Sequence, residues 1–159
     1  MAVDVFLKIN GIPGESADSK HKAEIDVLSY SFGITQTGTM SYGGGGGAGK
    51  ANFGDFSFMM RMNKATPKLM QACSNGSHIP DAVLTCRKAG DKQQEYMSYK
   101  FYDLLISSYQ TSASSEEPTE SISFNYSKLE MSYFEQDSKG NLSQGSVDFK
   151  YDIKQNKAY

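Results

Sequence analysis

Apolar and polar residues alternate one by one in several separate stretches of the chain, and this period of two limits what the chain can fold into. The clearest stretch is residues 147–154, in which Val, Phe, Tyr and Ile alternate with Asp, Lys, Asp and Lys. Residues 3–10 and 121–127 alternate in the same way. Such a period places one apolar and one polar face on an extended strand. Each stretch therefore predicts a β-strand.

Further strand-like stretches fill much of the remaining chain, at residues 23–36, 56–62, 82–88, 95–106 and 129–133. Within the first of them the apolar side slips by one residue at Leu28, which predicts a β-bulge. Nine Phe and ten Tyr residues supply side chains that favour pleated, half-buried surfaces. We therefore predict a mainly β fold, a single domain over residues 1–159, with seven or eight strands in a barrel or sandwich closed around an aromatic core.

One helix is predicted, beginning at Thr66-Pro67 and ending at Asn75-Gly76. Threonine can accept a hydrogen bond from a free amide at a helix start, proline suits the first turn, and glycine suits the stop. Leu69, Met70 and Cys73 are expected to share its apolar face.

The charge balance argues against several kinds of partner. Sixteen basic and eighteen acidic residues give a net charge of −2, with no basic stripe to neutralise phosphates, so nucleic acid is not expected. The apolar runs are too short to cross a bilayer, and the N-terminus lacks the features of a signal peptide.

Cys73 and Cys86 are expected to be buried and reduced. His21 and His78 are expected to be solvated loop residues, and no catalytic, cofactor or metal site is predicted.

A glycine run lies in a predicted loop at residues 37–51, and its end resembles a phosphate-binding loop because Gly44 and Gly49-Lys50 have the required spacing. The next residue is Ala51, which has no hydroxyl for a magnesium ion. A strand-like stretch follows where a phosphate loop needs the N-terminus of a helix. We therefore interpret the run as a contact loop rather than a nucleotide site.

Several segments taken together are similar, in order and spacing, to the Hcp family, the haemolysin-coregulated tube proteins of bacterial type VI secretion. The resemblance spans residues 2–157. One departure is that many members carry Trp in the second strand, where this chain has Tyr30 and Phe32. The segments are residues 3–9, Gly14-Glu15-Ser16, His21, residues 24–28, residues 43–50, Thr66-Pro67, Arg87-Lys88-Ala89-Gly90 and residues 153–157.

The resemblance implies a β-barrel with a flanking helix that forms a hexameric ring. Rings of this family stack into a hollow tube inside a contractile sheath, behind a spike or tip protein, and the lumen can hold small effector proteins. The implied location is the bacterial cytoplasm during assembly, followed by secretion through the type VI apparatus without a signal peptide. No cofactor is implied.

Two groups of residues are candidates for these contacts. The first is a small, uncharged strand face that could line the lumen and meet cargo, although an ordinary solvent-facing strand is the alternative. The second is the glycine run, as a loop that joins one ring to the next. The lumen candidates are Ser29, Ser31, Gly33 and Thr35, and the ring-stacking candidates are Gly43, Gly44, Gly45, Gly46, Gly47, Gly49 and Lys50.

Two other functions stay open at the level of sequence. A small-ligand-binding β-barrel would need an interior cavity, which large aromatic side chains would fill. A nucleotide-handling or hydrolytic enzyme is opposed by Ala51 and by the lack of a paired acid and base.

Overall fold

The computed structural model describes residues 3–38, 47–88 and 92–159. Within these residues the protein is mainly β, with twelve strands and one helix, which confirms the predicted fold class. The elements are β1 (Val3–Ile9), β2 (Ile25–Asp26), β3 (Ser29–Ser31), β4 (Ile34–Gly38), β5 (Ala48–Phe53), β6 (Phe56–Arg61), α1 (Thr66–Asn75), β7 (His78–Lys88), β8 (Glu95–Ser112), β9 (Thr119–Asn125), β10 (Lys128–Tyr133), β11 (Val147–Asp152) and β12 (Lys157–Ala158). The strand count exceeds seven or eight because the predicted strand at residues 23–36 is divided into three and because β5 and β12 were not predicted.

Ten of the strands form one branched antiparallel sheet that folds into two layers. The first layer has the order β12-β11-β10-β8-β7-β1-β2, and the second has the order β8-β9-β6-β3. Strand β8 belongs to both because it bends at Asp103, which has a left-handed φ of 54°. Before the bend β8 pairs with β10, and after it β8 pairs with β9. The Asp103 carboxylate accepts a hydrogen bond of 2.7 Å from the Ser127 hydroxyl, which holds the bend.

The predicted single strand at residues 23–36 is divided into β2, β3 and β4, each with a different partner. The chain leaves the first layer and joins the second at Val27 and Leu28. There the Val27 N–H donates to the Val5 carbonyl, and the Leu28 N–H donates to the Met59 carbonyl. The slip at Leu28 is therefore a change of partner strand, not a bulge within one strand. Because β2 and β3 are separate strands, the sheet is not a closed barrel.

Aromatic side chains fill the space between the two layers, as predicted. Phe56, Phe58, Phe101 and Phe124 are each at most 1% exposed. The rings of Phe56 in the second layer and Phe101 in the first lie 4.8 Å apart. Such ring pairs add to the free energy gained by burying their surface.

Helix α1 begins and ends where the sequence predicts, and Gly76 follows it with a left-handed φ of 64°. Two details of the prediction are wrong. No side chain caps the start. The Thr66 hydroxyl donates to the Glu120 carboxylate at 2.5 Å and accepts from the Asn63 N–H, which lies before the helix. The buried face carries Leu69 and Ala72, whereas Met70 is 46% exposed.

The two cysteines are unpaired; Cys86 is buried, as expected, but Cys73 is partly exposed. In the part of the chain that the structure describes, no helix has both the length and the apolar character that crossing a bilayer would need.

Candidate functional site

Serine side chains cover the outer side of the second layer. Residues that pair directly across neighbouring strands point to the same side of a sheet. Two such rows cross β3, β6, β9 and β8 and carry six serines, which we call the serine face. The first row is Ser31, Ser57, Ser123 and Ser108, and the second is Ser29, Met59, Ser121 and Gln110, so the six serines are Ser29, Ser31, Ser57, Ser108, Ser121 and Ser123.

The serine face is uncharged across both rows, although 21% of the chain's residues are charged. The Ser57 and Ser123 hydroxyl oxygens lie 2.7 Å apart in a hydrogen bond. Ser29 and Ser31 are exposed, and Met59 is 40% exposed. A hydroxyl can donate and accept, and a methionine thioether adapts its shape to an apolar contact. The face therefore presents hydrogen-bond donors and acceptors beside one apolar side chain, and it carries no charge.

The local sequence explains why serine occupies this side of the layer. In β9, Ser121 and Ser123 alternate with Ile122 and Phe124, both fully buried. In β3, Ser29 and Ser31 flank Tyr30, whose ring stacks 5.7 Å from that of Phe56. The aromatic residues hold one side of each strand in the core, so the serines must point outward.

Sequence reasoning found two of the six serines. It recorded the alternation at Ser121 and Ser123 without assigning that strand a function, and it missed Ser57, Ser108 and the exposed Met59. The alternation was a usable signal within each strand. What the sequence did not supply was the pairing that brings Ser31 beside Ser57 and Ser123, which are 26 and 92 residues further along the chain.

The four residues predicted to line the lumen lie on different elements. Ser29 and Ser31 are on β3 in the serine face, whereas Gly33 lies between β3 and β4. Thr35 lies on β4, which pairs with β5 to form a separate two-stranded sheet. The predicted face is thus divided between the second layer and this β4–β5 hairpin.

The predicted loop at residues 37–51 is partly regular structure. Gly49 and Lys50 lie on β5, and Thr37 and Gly38 lie on β4. Ala51 pairs with Gln36 across the hairpin, so a strand occupies the place where a phosphate loop would require a helix. Gly47 immediately precedes β5, while Gly43, Gly44, Gly45 and Gly46 lie outside the described residues.

His21 belongs to a buried cluster, so the expectation that it is a solvated loop residue is wrong. It is 6% exposed, and its ring stacks on Phe6 with a centroid distance of 4.4 Å. Its Nδ1 lies 2.9 Å from the Glu24 carboxylate, and its Nε2 lies 2.6 Å from the Glu95 carboxylate. His78 is exposed, as expected, but it is the first residue of β7 rather than a loop residue.

Arg87 extends this cluster, because its side chain also lies against Phe6. It is 2% exposed, and its guanidinium lies 4.9 Å from the centre of the Phe6 ring. It donates two hydrogen bonds to the Asp18 carboxylate and one to Asp4. The hydrogen bonds from Arg87 lower the pKa of Asp18 to about 2, and the same contact raises the pKa of Arg87. This cluster joins the loop at residues 11–24 to β1, β7 and β8.

Neither the serine face nor the Arg87 cluster has the form of a metal or nucleotide site. Among residues 3–38, 47–88 and 92–159, no three His, Cys, Asp or Glu side chains group as metal ligands. The interior is packed with aromatic rings rather than hollow. One cleft of about 590 Å³ lies at the surface, lined by Lys8, Asn10, Lys22 and neighbouring loop residues. The aromatic rings between the two layers occupy the space in which a small-ligand-binding barrel would hold its ligand.

Comparison with known proteins identifies a family and a close sequence relative. Residues 6–133 match the family described as "Type VI secretion system effector, Hcp". The chain is 45% identical over 159 residues to "Protein hcp1" of Pseudomonas aeruginosa, with 98% of each chain covered.

Solved structures agree with that match along the whole chain. The crystal structure of Hcp1 from Salmonella typhimurium has a TM-score of 0.83 and 37% identity, with 100% of both chains covered. A type six secretion system protein has a TM-score of 0.92 and 30% identity, with 99% of this chain and 100% of that chain covered. A type VI secretion system effector from Yersinia pestis has a TM-score of 0.77 and 32% identity over 94% of this chain and 100% of its own length.

Proposed function

Because this chain belongs to the Hcp family of type VI secretion tube proteins, we propose that the whole chain acts as one subunit of a hexameric ring. Rings of this kind stack into a hollow tube that carries small effector proteins. The role is structural rather than catalytic. It is supported by the family match, which covers most of the chain, and by relatives of the same length.

The observation that carries the cargo role is the uncharged serine face. A tube that holds different proteins needs a wall that no single charge pattern dominates, because like charges that meet at an interface repel and select against a partner. The serine face offers hydroxyls and Met59 over two complete rows of the second layer. We therefore assign it to the lumen wall.

The proposed partners follow from the tube. They are further copies of this chain within a ring and between rings, a contractile sheath outside the tube, a spike or tip protein at its end and small effectors inside it. The proposed path runs from assembly in the bacterial cytoplasm to secretion through the type VI apparatus.

Assembly can be measured directly on the purified chain. We expect light scattering after size exclusion to give about 105 kDa, six times the 17.5 kDa of one chain, because a cyclic ring closes at a fixed number of copies. Negative-stain images should show six-fold rings. A monomer at all concentrations, without rings in the images, would contradict the proposed function.

Cargo binding can be tested at Ser31, which is exposed at the edge of the serine face. We expect Ser31→Tyr to leave rings intact and to reduce co-purified small proteins about tenfold, the change that ~1.4 kcal/mol of lost binding causes. Ser115→Tyr, on an exposed loop, is the matched control and should retain the cargo. The measurement is quantitative mass spectrometry of proteins that elute with the ring. Equal cargo on both variants would contradict the lumen assignment.

A further inference from the structure

The chain contains two Asn-Gly pairs, Asn10-Gly11 and Asn75-Gly76, and the structure places them in different backbone settings. An asparagine side chain can react with the backbone nitrogen of the next residue, and glycine leaves that nitrogen most accessible because it has no side chain. All four residues are exposed. The two settings therefore differ in how the glycine nitrogen is held, not in access to water.

Asn10 and Gly11 lie at the corner of a turn that leaves β1. The Ile12 N–H donates to the Ile9 carbonyl at 3.0 Å, and Gly11 has the positive φ, 81°, that the third residue of a type II turn requires. The N–H of that third residue takes no part in closing the turn. Among the described residues, no hydrogen bond engages the Gly11 N–H or the Asn10 side chain. Both reacting groups are therefore without a hydrogen bond that would have to break first.

The nitrogen of the other pair is held by the end of helix α1. The Gly76 N–H donates to the Ala72 carbonyl, and the Ser77 N–H donates to the same carbonyl at 3.1 Å. These bonds close the last turn of the helix, where Gly76 has a left-handed φ of 64°. The helix end must therefore open locally before the Gly76 nitrogen can reach the Asn75 side chain.

We propose that Asn10 is a site of spontaneous deamidation in the folded protein. The Gly11 nitrogen attacks the carbonyl carbon of the Asn10 side chain, so that a C–N bond forms and the side-chain nitrogen leaves as ammonia with the proton of the Gly11 N–H. The product is a five-membered cyclic imide. Water then opens the imide at one of its two C–N bonds, which gives aspartate or isoaspartate. Water is the only other reactant.

The product adds a charge to a cleft that already contains charged side chains. Asn10 lines the surface cleft of about 590 Å³ together with Lys8, Lys22 and Asp81. A carboxylate in place of the Asn10 amide adds one negative charge to a chain whose net charge is −2. The reaction therefore changes the electrostatics of this cleft in the same way as any charge-adding modification.

The isoaspartate product also changes the backbone of the turn. It inserts one additional carbon between Ile9 and Ile12, which are both buried, at 3% and 8% exposure. The Asn10 N–H donates to the Asp81 carbonyl at 3.1 Å, so the turn is also fixed to β7. We therefore expect the isoaspartate form to hold the start of the loop at residues 11–24 less firmly than the original asparagine.

Peptide mass spectrometry of the folded protein, aged in mildly alkaline buffer, tests the proposal. We expect Asn10 to gain the mass of a hydroxyl in place of an amino group at least ~tenfold faster than Asn75, a ratio equivalent to ~1.4 kcal/mol of helix opening. Asn10→Gln is the control, because a glutamine side chain must close a larger ring. It should abolish conversion at position 10 and leave the rate at Asn75 unchanged.

The same experiment in guanidinium chloride separates structure from local sequence. Unfolding removes both the turn and the helix end, so the two pairs should then convert at similar rates. Three results would overturn the proposal. They are an unchanged Asn10 in the folded protein over a time in which the unfolded chain converts, an Asn75 that converts as fast as Asn10 in the folded protein, and a rate difference that persists in guanidinium chloride.

Discussion

At the residue scale, an ion pair beneath the surface joins segments that are far apart in sequence. Arg87 on β7 donates to Asp18, 69 residues before it, and lies against the ring of Phe6. A charge that is almost completely buried is strongly destabilising when its partner is removed, because the remaining charge is left without compensation. Arg87 therefore depends on Asp18 and Asp4 for its place in the fold.

The stabilisation from Asp18 should depend on pH with a definite sign. Its folded pKa is about 2, below the ordinary 3.8, so its contribution is complete above about pH 4 and is lost as the pH falls towards 2. We expect Asp18→Asn to lower the free energy of unfolding at pH 7, and we expect this difference to shrink between pH 4 and pH 2. Urea unfolding at several pH values measures it. Glu116→Gln, on an exposed loop, is the control. A difference that stays constant down to pH 2 would contradict the assigned pKa.

At the element scale, the β4–β5 hairpin is held by close backbone contact as well as by pairing. An isolated two-stranded hairpin is only marginally stable in water, and all five residues of β4 are exposed. Phe53 at the end of β5 attaches it to the rest of the protein through a ring contact of 5.0 Å with Tyr151. Gly49 lets the two strands approach, since a Cβ there would lie 2.9 Å from the Thr37 carbonyl oxygen.

Two glycines in the hairpin form a matched pair that tests whether the close contact between its strands at Gly49 is needed. Gly49→Ala should force the strands apart, whereas Gly38→Ala meets no atom within 4 Å of its new Cβ and should be tolerated. We expect faster amide hydrogen exchange at residues 34–38 and 48–53 in Gly49→Ala, by about tenfold for each ~1.4 kcal/mol of lost local stability. Core amides on β7 should exchange as before in both variants. Equal hairpin protection in the two variants would show that the contact at Gly49 is not needed.

At the scale of the whole molecule, the protein has an aromatic interior and an uncharged serine face on the outer side of its second layer. This arrangement suits the proposed ring wall, in which the serine face would meet the lumen. Stacking requires a further contact along the tube axis, and the glycine run remains our candidate for it. Most of that run lies outside the described residues, so its role is a prediction from sequence.

Shortening the run separates stacking from ring formation. We expect deletion of Gly43–Gly47 to leave single rings intact, because a stacking loop contacts the next ring rather than a neighbouring subunit, and to reduce tube length and secretion. Electron microscopy of the purified rings and an assay of secreted protein measure the two effects. Deletion of an equal length from the exposed loop at residues 113–117 is the control. Loss of the rings themselves would place the glycine run at the ring contact instead.

Several features could be predicted because they depend on neighbours along the chain. Alternation of side chains sets which residues form a strand and which side is apolar, so β1, β9 and β11 were located by it. Proline in the first turn and Gly76 after the last defined the helix, and the number of Phe and Tyr residues indicated an aromatic core. The order of segments from residues 3 to 157 was enough to indicate the family.

Other features were decided by the tertiary structure, because they depend on residues that meet across strands. Alternation shows that Val147 and Phe149 lie on an apolar side, but not that they are 71% and 37% exposed. It likewise cannot show that Glu95 lies 2.6 Å from His21 or that Ser57 continues the row begun by Ser31. The period of two arises within a single strand, whereas register and coverage arise from contacts between strands. The strands and their apolar sides could therefore be predicted from the sequence, while the serine face and the buried histidine required the tertiary structure.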